Sequence, residues 1–339
     1  MTDLFPYNTL RVHAQAKNFI KLNSPDQRIS TDEPLLFLGQ GANILFTKDF
    51  PGTVAKINLL GKKVISETDS DVLVELAAGQ DWHQFVTWAV DNNLSGVENM
   101  ALIPGTIGAA VVGNIAAYGQ NQEDVFVKLQ ATNLKSQKSE KFSKTDCQFA
   151  YRESFFKKNI DYLITSVTYR LSKIPHLEIS YHATRHASLL PTLQQIAKEP
   201  YTIKDVYNAI IKMRTEKLPD WHKVGTAGSF FKNPIISKQK YTQMQSQIPD
   251  LLAYPVDKLL YTNPLNQDKY VKLSVARVLD ELGWKGRTIG RVSTSPNQAL
   301  YVINLGGATG QEIFEYAETM RADIKRNFDI ILEYEVRII

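Results

Sequence analysis

Two glycine-rich segments are the first places in this sequence where a ligand could be held. The first, Gly39–Asn43, follows the apolar run 35–38, and successive amide groups of such a turn can hold phosphate oxygens. It does not match the dinucleotide-binding fingerprint, because Ile44 stands where the third glycine is required and another apolar run follows instead of a long helix. By itself the segment is either a phosphate site or simply a turn between two strands.

The second segment, 103–119, combines many glycines and alanines with no charged residue. Small residues let the backbone approach a ligand closely, and a long uncharged loop is costly unless it binds something. A large planar cofactor fits this loop, and a tight crossover between packed elements is the alternative. The uncharged stretch extends from Asn99 to Gln122, but Pro104 and several glycines interrupt it, so we expect a buried loop and no membrane span.

A proton donor is the chemistry that best suits Ser229, which follows the small residues 225–228. The segment does not match the G-x-S-x-G nucleophile elbow, and although His222 is close, no acid is spaced to complete a triad. A buried serine bonded to backbone is the alternative. A strand over 229–232 is predicted, and its alternation would put Ser229, Phe231 and Asn233 on one face.

Charged and apolar residues alternate near the end of the chain, in residues 332–338. The alternation predicts a strand with Glu333, Glu335 and Arg337 on one face. Such a face is more often a solvated edge strand than a site, so the pattern alone leaves both interpretations open.

The elements that must position these groups follow from apolar periodicity. Strands are predicted at 35–38, 44–46, 72–76 and 300–304, and helices at 81–92, 238–247 and 275–282. Two capping boxes give further helix starts: Thr202 with Asp205, for a helix that stops before Pro219, and Thr309 with the acid three residues later. The stop near Pro219 predicts a domain boundary, with a smaller α+β domain after it.

Composition restricts the class of protein. The 339 residues are enough for two or three domains, and 39 Lys and Arg against 35 Asp and Glu give a net charge of +4. Because this charge is spread along the chain, we expect no nucleic-acid partner, whereas small anionic ligands such as nucleotides suit it. The single cysteine, Cys147, and six scattered histidines predict neither a disulfide nor a metal site. A cytoplasmic protein without a signal peptide is expected.

Seven segments, in order, resemble the UDP-N-acetylenolpyruvoylglucosamine reductase family, the flavoenzymes of bacterial peptidoglycan precursor synthesis. They are residues 38–46, 98–105, 114–119, 151–154, 217–220, 228–234 and 332–337. The segment Glu178–Tyr181 resembles the longer subclass, in which a tyrosine-bearing insertion closes over the nucleotide sugar. The sequence departs from the family's usual pattern at four places. Ala42 stands where the family usually has Ser, Ala109–Ala110 where it has a pair of Ser, Ala116 where it has Gly, and Tyr334 where it has Pro.

The resemblance implies an α+β fold, with a vanillyl-alcohol-oxidase-like (PCMH-like) FAD-binding fold of two subdomains and a smaller α+β substrate-binding domain. The expected boundaries are 1–65 and 66–218 for the FAD-binding subdomains, the second carrying the tyrosine insertion, 219–328 for the substrate domain, and 329–339 for a C-terminal strand that returns to the active site. FAD would bind non-covalently, NADPH would be the co-substrate in the same cleft, and the chain would act as a monomer.

The resemblance also implies a role for individual residues. Arg152 would bind the substrate carboxylate, Ser229 would deliver a proton to C2 of the enolpyruvyl group, and Glu335 would polarise or orient the enol system. Contacts with FAD are expected from Gly39, Gln40, Gly41, Ala42, Asn43, Pro104, Gly105, Thr106, Gly108, Ala109, Asn114, Ile115 and Tyr118. Contacts with the diphosphate, the sugar or the nicotinamide are expected from Tyr181, Lys217, Asn233 and Gln298.

The resemblance implies an NADPH-dependent UDP-N-acetylmuramate dehydrogenase. Two other functions are the alternatives. An oxidase of the same fold with covalent FAD would need a His or Cys tether, and residues 39–46 contain neither. A non-catalytic nucleotide-binding or regulatory protein would need no proton donor, so the presence of Arg152, Ser229 and Glu335 favours an enzyme.

Overall fold

The computed structural model describes residues 1–29, 32–181, 188–255 and 268–339, together with two short strands between the last two ranges. The first strands are β1 (Thr2–Asp3), β2 (Gln15–Leu22), β3 (Leu35–Leu38), β4 (Ile44–Leu45) and β5 (Phe50–Ile57), and a 3₁₀ turn spans Phe5–Tyr7. Four of them form a sheet in the order β1-β2-β5-β3, in which β5 is parallel to β2 and β3. The strand-turn-strand prediction around Gly39–Asn43 is confirmed.

The second part of the chain is built on a five-stranded antiparallel sheet. Its elements are β6 (Lys62–Glu67), β7 (Asp71–Ala77), α1 (Trp82–Asp91), a 3₁₀ turn (Glu98–Met100), α2 (Ile107–Gly113), β8 (Ala116–Ala117), β9 (Gln120–Asn121), α3 (Gln122–Val125), β10 (Phe126–Asn133), β11 (Lys138–Ser143), α4 (Phe155–Lys158), β12 (Tyr162–Ser172), α5 (Leu189–Ile196) and α6 (Ile203–Lys217). The strand order is β11-β10-β12-β7-β6. Trp82, Phe85 and Tyr169 lie at the centre of the core between this sheet and the helices.

The third part carries two further antiparallel sheets. Its elements are β13 (Gly225–Ser229), β14 (Ile235–Ser237), α7 (Lys238–Gln245), β15 (Ala253–Tyr254), β16 (Lys258–Leu260), β17 (Asn263–Pro264), β18 (Tyr270–Leu273), α8 (Val275–Glu281), β19 (Thr288–Ile289), β20 (Val292–Thr294), β21 (Tyr301–Asn304), α9 (Gly310–Phe328) and β22 (Arg337–Ile338). The two sheets have the orders β13-β21-β20-β19 and β14-β18-β15, and α9 packs on the first. Leu10, Val12 and Leu45 of the first part join the core of this third part, so the two share one apolar cluster.

Both predicted capping boxes are present. The Thr202 hydroxyl accepts from the amide of Asp205 at 3.1 Å while the Asp205 carboxylate accepts from the amide of Thr202 at 2.9 Å. Thr309 and Glu312 make the same reciprocal pair at the start of α9. Because each pair satisfies donors that the first turn leaves free, the helix starts are determined locally.

Hydrogen bonding shifts one predicted boundary. Lys62–Glu67 pairs antiparallel with β7 along its length, so a boundary between residues 65 and 66 would cut through a strand. The change from the first sheet to the second lies between Ile57 and Lys62.

Three predicted elements differ from the structure. The segment 103–119 is not loop throughout, because residues 107–113 form α2. The strand predicted at 229–232 lies instead at 225–229, since Gly228 adopts φ of +75° and the register with β21 shifts between Thr226 and Ser229. The predicted face of Ser229, Phe231 and Asn233 is therefore wrong: Ser229 is half-buried, while Phe231 is fully buried against the ring of Tyr334.

The C-terminal strand predicted at 332–338 is mostly wrong as well. Only Arg337–Ile338 forms a strand, and it pairs parallel with β4, while residue 334 makes an isolated bridge to Phe231. The chain bends at residues 335 and 336, so the expected common face of the three charged residues is not formed. Within the ranges given above, no helix combines the length and apolarity needed to cross a membrane.

Candidate active site

A cavity of about 400 Å³ opens between the three parts of the chain. One wall is formed by the turn Gly39–Asn43 and by the segment that starts at Ile103. Arg152, Ser229 and Glu335 also line this cavity. The structure thus brings together the two glycine segments and the three residues expected to be catalytic.

The glycine turn owes its shape to Gly41. This residue has φ of +68°, and a Cβ built on it would lie 2.0 Å from the carbonyl oxygen of Tyr7. The carbonyl of Gly41 also accepts a hydrogen bond from the amide of Thr9 at 3.1 Å. Because only glycine allows both the backbone angle and this close approach, the first strands hold the turn tightly.

Gln40 connects the two glycine segments. Its side-chain oxygen accepts from the amide of Gly105 at 2.8 Å, and its side-chain nitrogen donates to the carboxylate of Asp81. Asp81 in turn caps the first turn of α1 by accepting from the amide of Gln84. The side chain predicted to touch the cofactor therefore fixes the distance between the two glycine segments.

Most of the predicted cofactor residues line the cavity. They are Gly39, Gln40, Gly41, Ala42, Asn43, Pro104, Gly105, Thr106, Gly108, Ala109 and Ile115. A Cβ built on Gly105, whose φ is +137°, meets no protein atom within 4 Å, whereas one on Gly108 would lie 3.0 Å from the Cβ of Ala78. The first glycine leaves space for a ligand, and the second lets α2 approach the end of β7.

Asn114 and Tyr118, also predicted to touch the cofactor, lie outside the lining of the cavity. Asn114 ends α2 in the left-handed conformation. Its side-chain nitrogen donates to the carbonyl of Ala150, and its side-chain oxygen accepts from the side-chain nitrogen of Gln122. The Tyr118 ring packs edge-on against Tyr181 at 5.4 Å. Asn114 therefore stabilises the loop through hydrogen bonds to residues outside the lining of the cavity.

Arg152 and Glu335 form a largely buried ion pair. The Nε of Arg152 lies 2.9 Å from Oε1 of Glu335, and the two side chains are only 23% and 20% exposed. Burial opposes the charge on Arg152, but the carboxylate of Glu335 outweighs it and raises the pKa of the guanidinium. Glu335 accepts from Nε, and the carbonyl of Ala116 accepts from Nη2 at 3.1 Å. The outer edge of the guanidinium, formed by Nη1 and Nη2, is therefore the edge that a substrate carboxylate would meet.

The path of the C-terminal segment decides which glutamate enters the site. The amide of Glu335 donates to the carbonyl of Phe230 at 3.0 Å, and the Asn43 side chain donates to the Glu335 carbonyl at 3.0 Å. Glu333 lies outside the lining of the cavity, 67% exposed, with its carboxylate 3.3 Å from Nζ of Lys232. Glu335, to which the resemblance gives a role, therefore lines the cavity, and Glu333 does not.

Ser229 stands at the end of β13, opposite Tyr301 of β21. Both side chains line the cavity, and a hydrogen bond joins the serine hydroxyl to the phenol. Arg214 of α6 lines the same wall; its Nε is buried without a hydrogen-bond partner among the residues that the structure describes. Sequence reasoning missed Tyr301 and Arg214, because nothing in their local patterns distinguishes them from helix and strand residues.

Arg337 is a further cavity residue that the sequence placed on a strand face without a role. Its amide donates to the carbonyl of Asn43 at 3.1 Å, so β22 holds it beside the glycine turn. Burial lowers the pKa of its guanidinium, and within the described ranges no carboxylate forms an ion pair with it. The Arg337 side chain is exposed beside the glycine turn, so an anionic ligand in the cavity would be a suitable partner for its charge.

Two of the four predicted substrate residues lie near the border of the second and third parts. The ring of Tyr181 stacks at 6.3 Å on that of Tyr254, and burial raises the pKa of Tyr181. The amide of Asn233 donates to the hydroxyl of Tyr151 at 3.2 Å, and Nζ of Lys272 lies 4.8 Å from the same ring. Tyr254 and Lys272 were missed by sequence reasoning. The insertion that follows Tyr181, residues 182–187, lies outside the described residues.

The other two predicted substrate residues lie close to the end of α6. Lys217 is its last residue, and burial lowers the pKa of the ammonium group although Asp280 opposes this effect. Asn297, next to Gln298, donates from its side chain to the carbonyl of Glu216 at 3.3 Å. The geometry therefore brings the segment of Gln298 to the end of α6, outside the main cavity.

Comparisons with known proteins agree with this architecture. Residues 220–339 match the model of the UDP-N-acetylenolpyruvoylglucosamine reductase C-terminal domain, and residues 29–135 match an FAD binding domain. The UDP-N-acetylenolpyruvoylglucosamine reductase of Flavobacterium johnsoniae is 38% identical over 98% of this chain and 97% of its own length, and that of Burkholderia multivorans is 36% identical over 98% and 94%.

A solved structure shows the same fold. The UDP-N-acetylenolpyruvylglucosamine reductase from Thermus caldophilus superposes with a TM-score of 0.68 over 99% of this chain and 97% of that one, at 18% identity. The predicted fold class is thereby confirmed. With relatives more than 35% identical over nearly the whole length, the chain belongs to the UDP-N-acetylenolpyruvoylglucosamine reductase family.

Proposed function

We propose that this chain reduces the enolpyruvyl group of UDP-N-acetylglucosamine enolpyruvate to UDP-N-acetylmuramate with NADPH, by means of FAD, in peptidoglycan precursor synthesis. One observation carries the proposal: a largely buried Arg152–Glu335 pair and Ser229 line the same cavity as the two glycine segments. A module that only binds a nucleotide has no need of a proton donor and a buried ion pair there. The proposal includes action in the cytoplasm, which the single cysteine favours, and action as a monomer, which the family resemblance implies.

The residues present fit FAD. The lining is largely apolar, Gly105 leaves open space where a side chain would stand, and Arg337 offers an uncompensated positive charge beside the glycine turn. The turn and Arg337 would hold the diphosphate, and the segment from Pro104 to Ile115 would cover the ring system. Among the lining residues that the structure describes, none is His or Cys, so this part of the cavity offers neither of the usual tethers for a covalent flavin.

When bound, FAD would supply the redox chemistry of the reaction, which is the transfer of a hydride from NADPH to C3 of the enolpyruvyl group. The protein must then manage the negative charge that develops on C2 and on the adjoining carboxylate. Arg152 would bind that carboxylate through its outer edge, and Glu335 would hold the guanidinium in place and polarise the enol system. Ser229, hydrogen-bonded to Tyr301, would give its proton to C2.

The nucleotide part of the substrate would extend from the cavity towards Tyr181 and Asn233. Lys272, beside the ring of Tyr151, adds a positive charge there that suits a diphosphate. Lys217 and Gln298 would serve the same part of the substrate or the nicotinamide.

The first test is the cofactor itself. The purified protein is expected to be yellow, with one FAD per chain that acid or heat releases, because the described residues of the lining include no His or Cys to tether it. An absorption spectrum before and after denaturation and filtration measures this. A colourless protein that takes up no added FAD, or a flavin that stays on the chain, would contradict the assignment.

Ping-pong kinetics are expected if NADPH and the nucleotide sugar occupy the same cavity in turn. The sequence has no second dinucleotide fingerprint, and the three expected catalytic side chains line the same cavity as the glycine segments. Initial rates at several NADPH concentrations should give parallel double-reciprocal lines. Intersecting lines together with a trapped ternary complex would instead require two separate sites.

A further inference from the structure

A partly buried lysine lies next to the glycine turn. Lys56 lies on β5, next to Leu38 of β3 and Lys21 of β2, and its Nζ donates to the carbonyl oxygen of Gly39 at 2.5 Å. Burial lowers the pKa of this ammonium group, and the charge of Lys21 lowers it further. Neither the motifs nor the proposed mechanism uses Lys56.

The charge of Lys56 is not compensated by a carboxylate. Within the ranges that the structure describes, its only polar contact is the Gly39 carbonyl, and its charged neighbour is another lysine. A partly buried cation is costly unless a negative group shares its surroundings. The uncompensated charge therefore points to an anion bound near the turn.

Peptide geometry indicates on which side that anion lies. In a trans peptide the carbonyl of one residue and the N–H of the next point in opposite directions. When Lys56 holds the Gly39 oxygen on its own side, the N–H of Gln40 is directed to the other side. Gly39, Gln40 and Gly41 line the cavity, whereas Lys56 does not, so that other side is the cavity.

We propose that Lys56 is a positioning residue for the diphosphate of FAD: it fixes the Gly39–Gln40 peptide so that the Gln40 amide faces the phosphate oxygens, and its charge favours an anion there. This inference rests on the proposed function, because it takes FAD as the ligand of the cavity. It assigns Lys56 to the diphosphate and gives it no part in binding the isoalloxazine ring.

The experiment compares FAD with riboflavin, which has the ring but no phosphate, on the apoprotein of each variant by flavin fluorescence. Lys56→Met keeps the length of the side chain and removes the donor and the charge. We expect it to raise the Kd of FAD by about 10- to 100-fold, as for loss of a charged hydrogen bond, and to leave the Kd of riboflavin within about twofold. Lys56→Arg should restore FAD binding.

Lys21→Met is the matched control, because it removes the same charge from the neighbouring strand without touching Gly39. It should leave FAD binding within about twofold. Should Lys56→Met yield no folded protein, as judged by circular dichroism, Lys56→Gln is measured in the same way.

The outcomes separate the two proposals. Apoprotein that binds no FAD in its wild-type form overturns the proposed function. Wild-type binding of FAD with an unchanged Kd in the Lys56 variants overturns this inference alone. Equal weakening of FAD and riboflavin binding also overturns this inference, because Lys56 would then support the cavity as a whole. An equal effect of Lys21→Met on FAD binding would overturn it too, because general surface charge would then explain the result.

Discussion

Ser229→Ala is expected to slow the half-reaction that consumes the nucleotide sugar by about 10²–10⁴-fold, the usual effect of losing a positioned general acid. The half-reaction that consumes NADPH delivers no proton to C2, so its rate should stay within a factor of about two. Stopped-flow absorbance of the flavin resolves the two steps separately. The separation of the two rates is the expected signature of a proton donor.

The structure makes this substitution a mild one for the fold. Ser229 ends β13 at a half-buried position, and its hydroxyl is one of several polar groups in that wall. The alanine variant removes one oxygen and leaves Tyr301, its hydrogen-bond partner, beside the solvent-accessible cavity. FAD binding and the temperature of unfolding are therefore expected to stay close to those of the wild type.

Ser229→Cys is the informative companion variant, because a thiol is still able to donate a proton. It should recover part of the rate lost in Ser229→Ala. Wild-type consumption of the sugar by the alanine variant would show that Ser229 has only a structural role. Equal slowing of both half-reactions would indicate that the flavin has moved.

Glu335→Gln is expected to lower the rate of the same half-reaction by about 10²–10³-fold. The glutamine keeps the size of the side chain and an oxygen that can accept from Nε of Arg152, so the guanidinium stays in place. What is lost is the carboxylate charge, which raises the pKa of Arg152 and which we propose polarises the enol. Single-turnover reoxidation with the nucleotide sugar measures the effect.

Glu333→Gln is a close control, since it makes the same chemical change two residues earlier. Glu333 is 67% exposed, and its partner Lys232 also pairs with Glu153 at 2.9 Å, so the loss of this exposed carboxylate should cost little. Its variant should react within about twofold of the wild-type rate. Equal losses in the two variants would mean that the C-terminal segment acts through its packing on residues 230–232 and not through the charge of Glu335.

The sequence by itself determined whatever depends on a few neighbouring residues. The capping boxes at Thr202 and Thr309 set the starts of α6 and α9, because their donors and acceptors lie three residues apart. The turn Gly39–Asn43 could be predicted between two strands for the same local reason. The family resemblance came from short segments of this kind, and it gave the fold, the cofactor and the residues of the cavity wall before any contact was known.

Tertiary structure alone decided which side chains meet. Arg152 and Glu335 are 183 residues apart in the chain, and their contact exists because residues 230–232 bind the C-terminal segment while β22 pairs with β4. Alternation predicted one face for Glu333, Glu335 and Arg337, but the chain bends after Tyr334, so one glutamate faces solvent and the other enters the cavity. The position of Ser229 likewise depends on the register shift at Gly228, and the roles of Tyr301, Arg337 and Lys56 depend on strand pairing. Such pairings join residues that are far apart in the chain, so local periodicity does not predict their register.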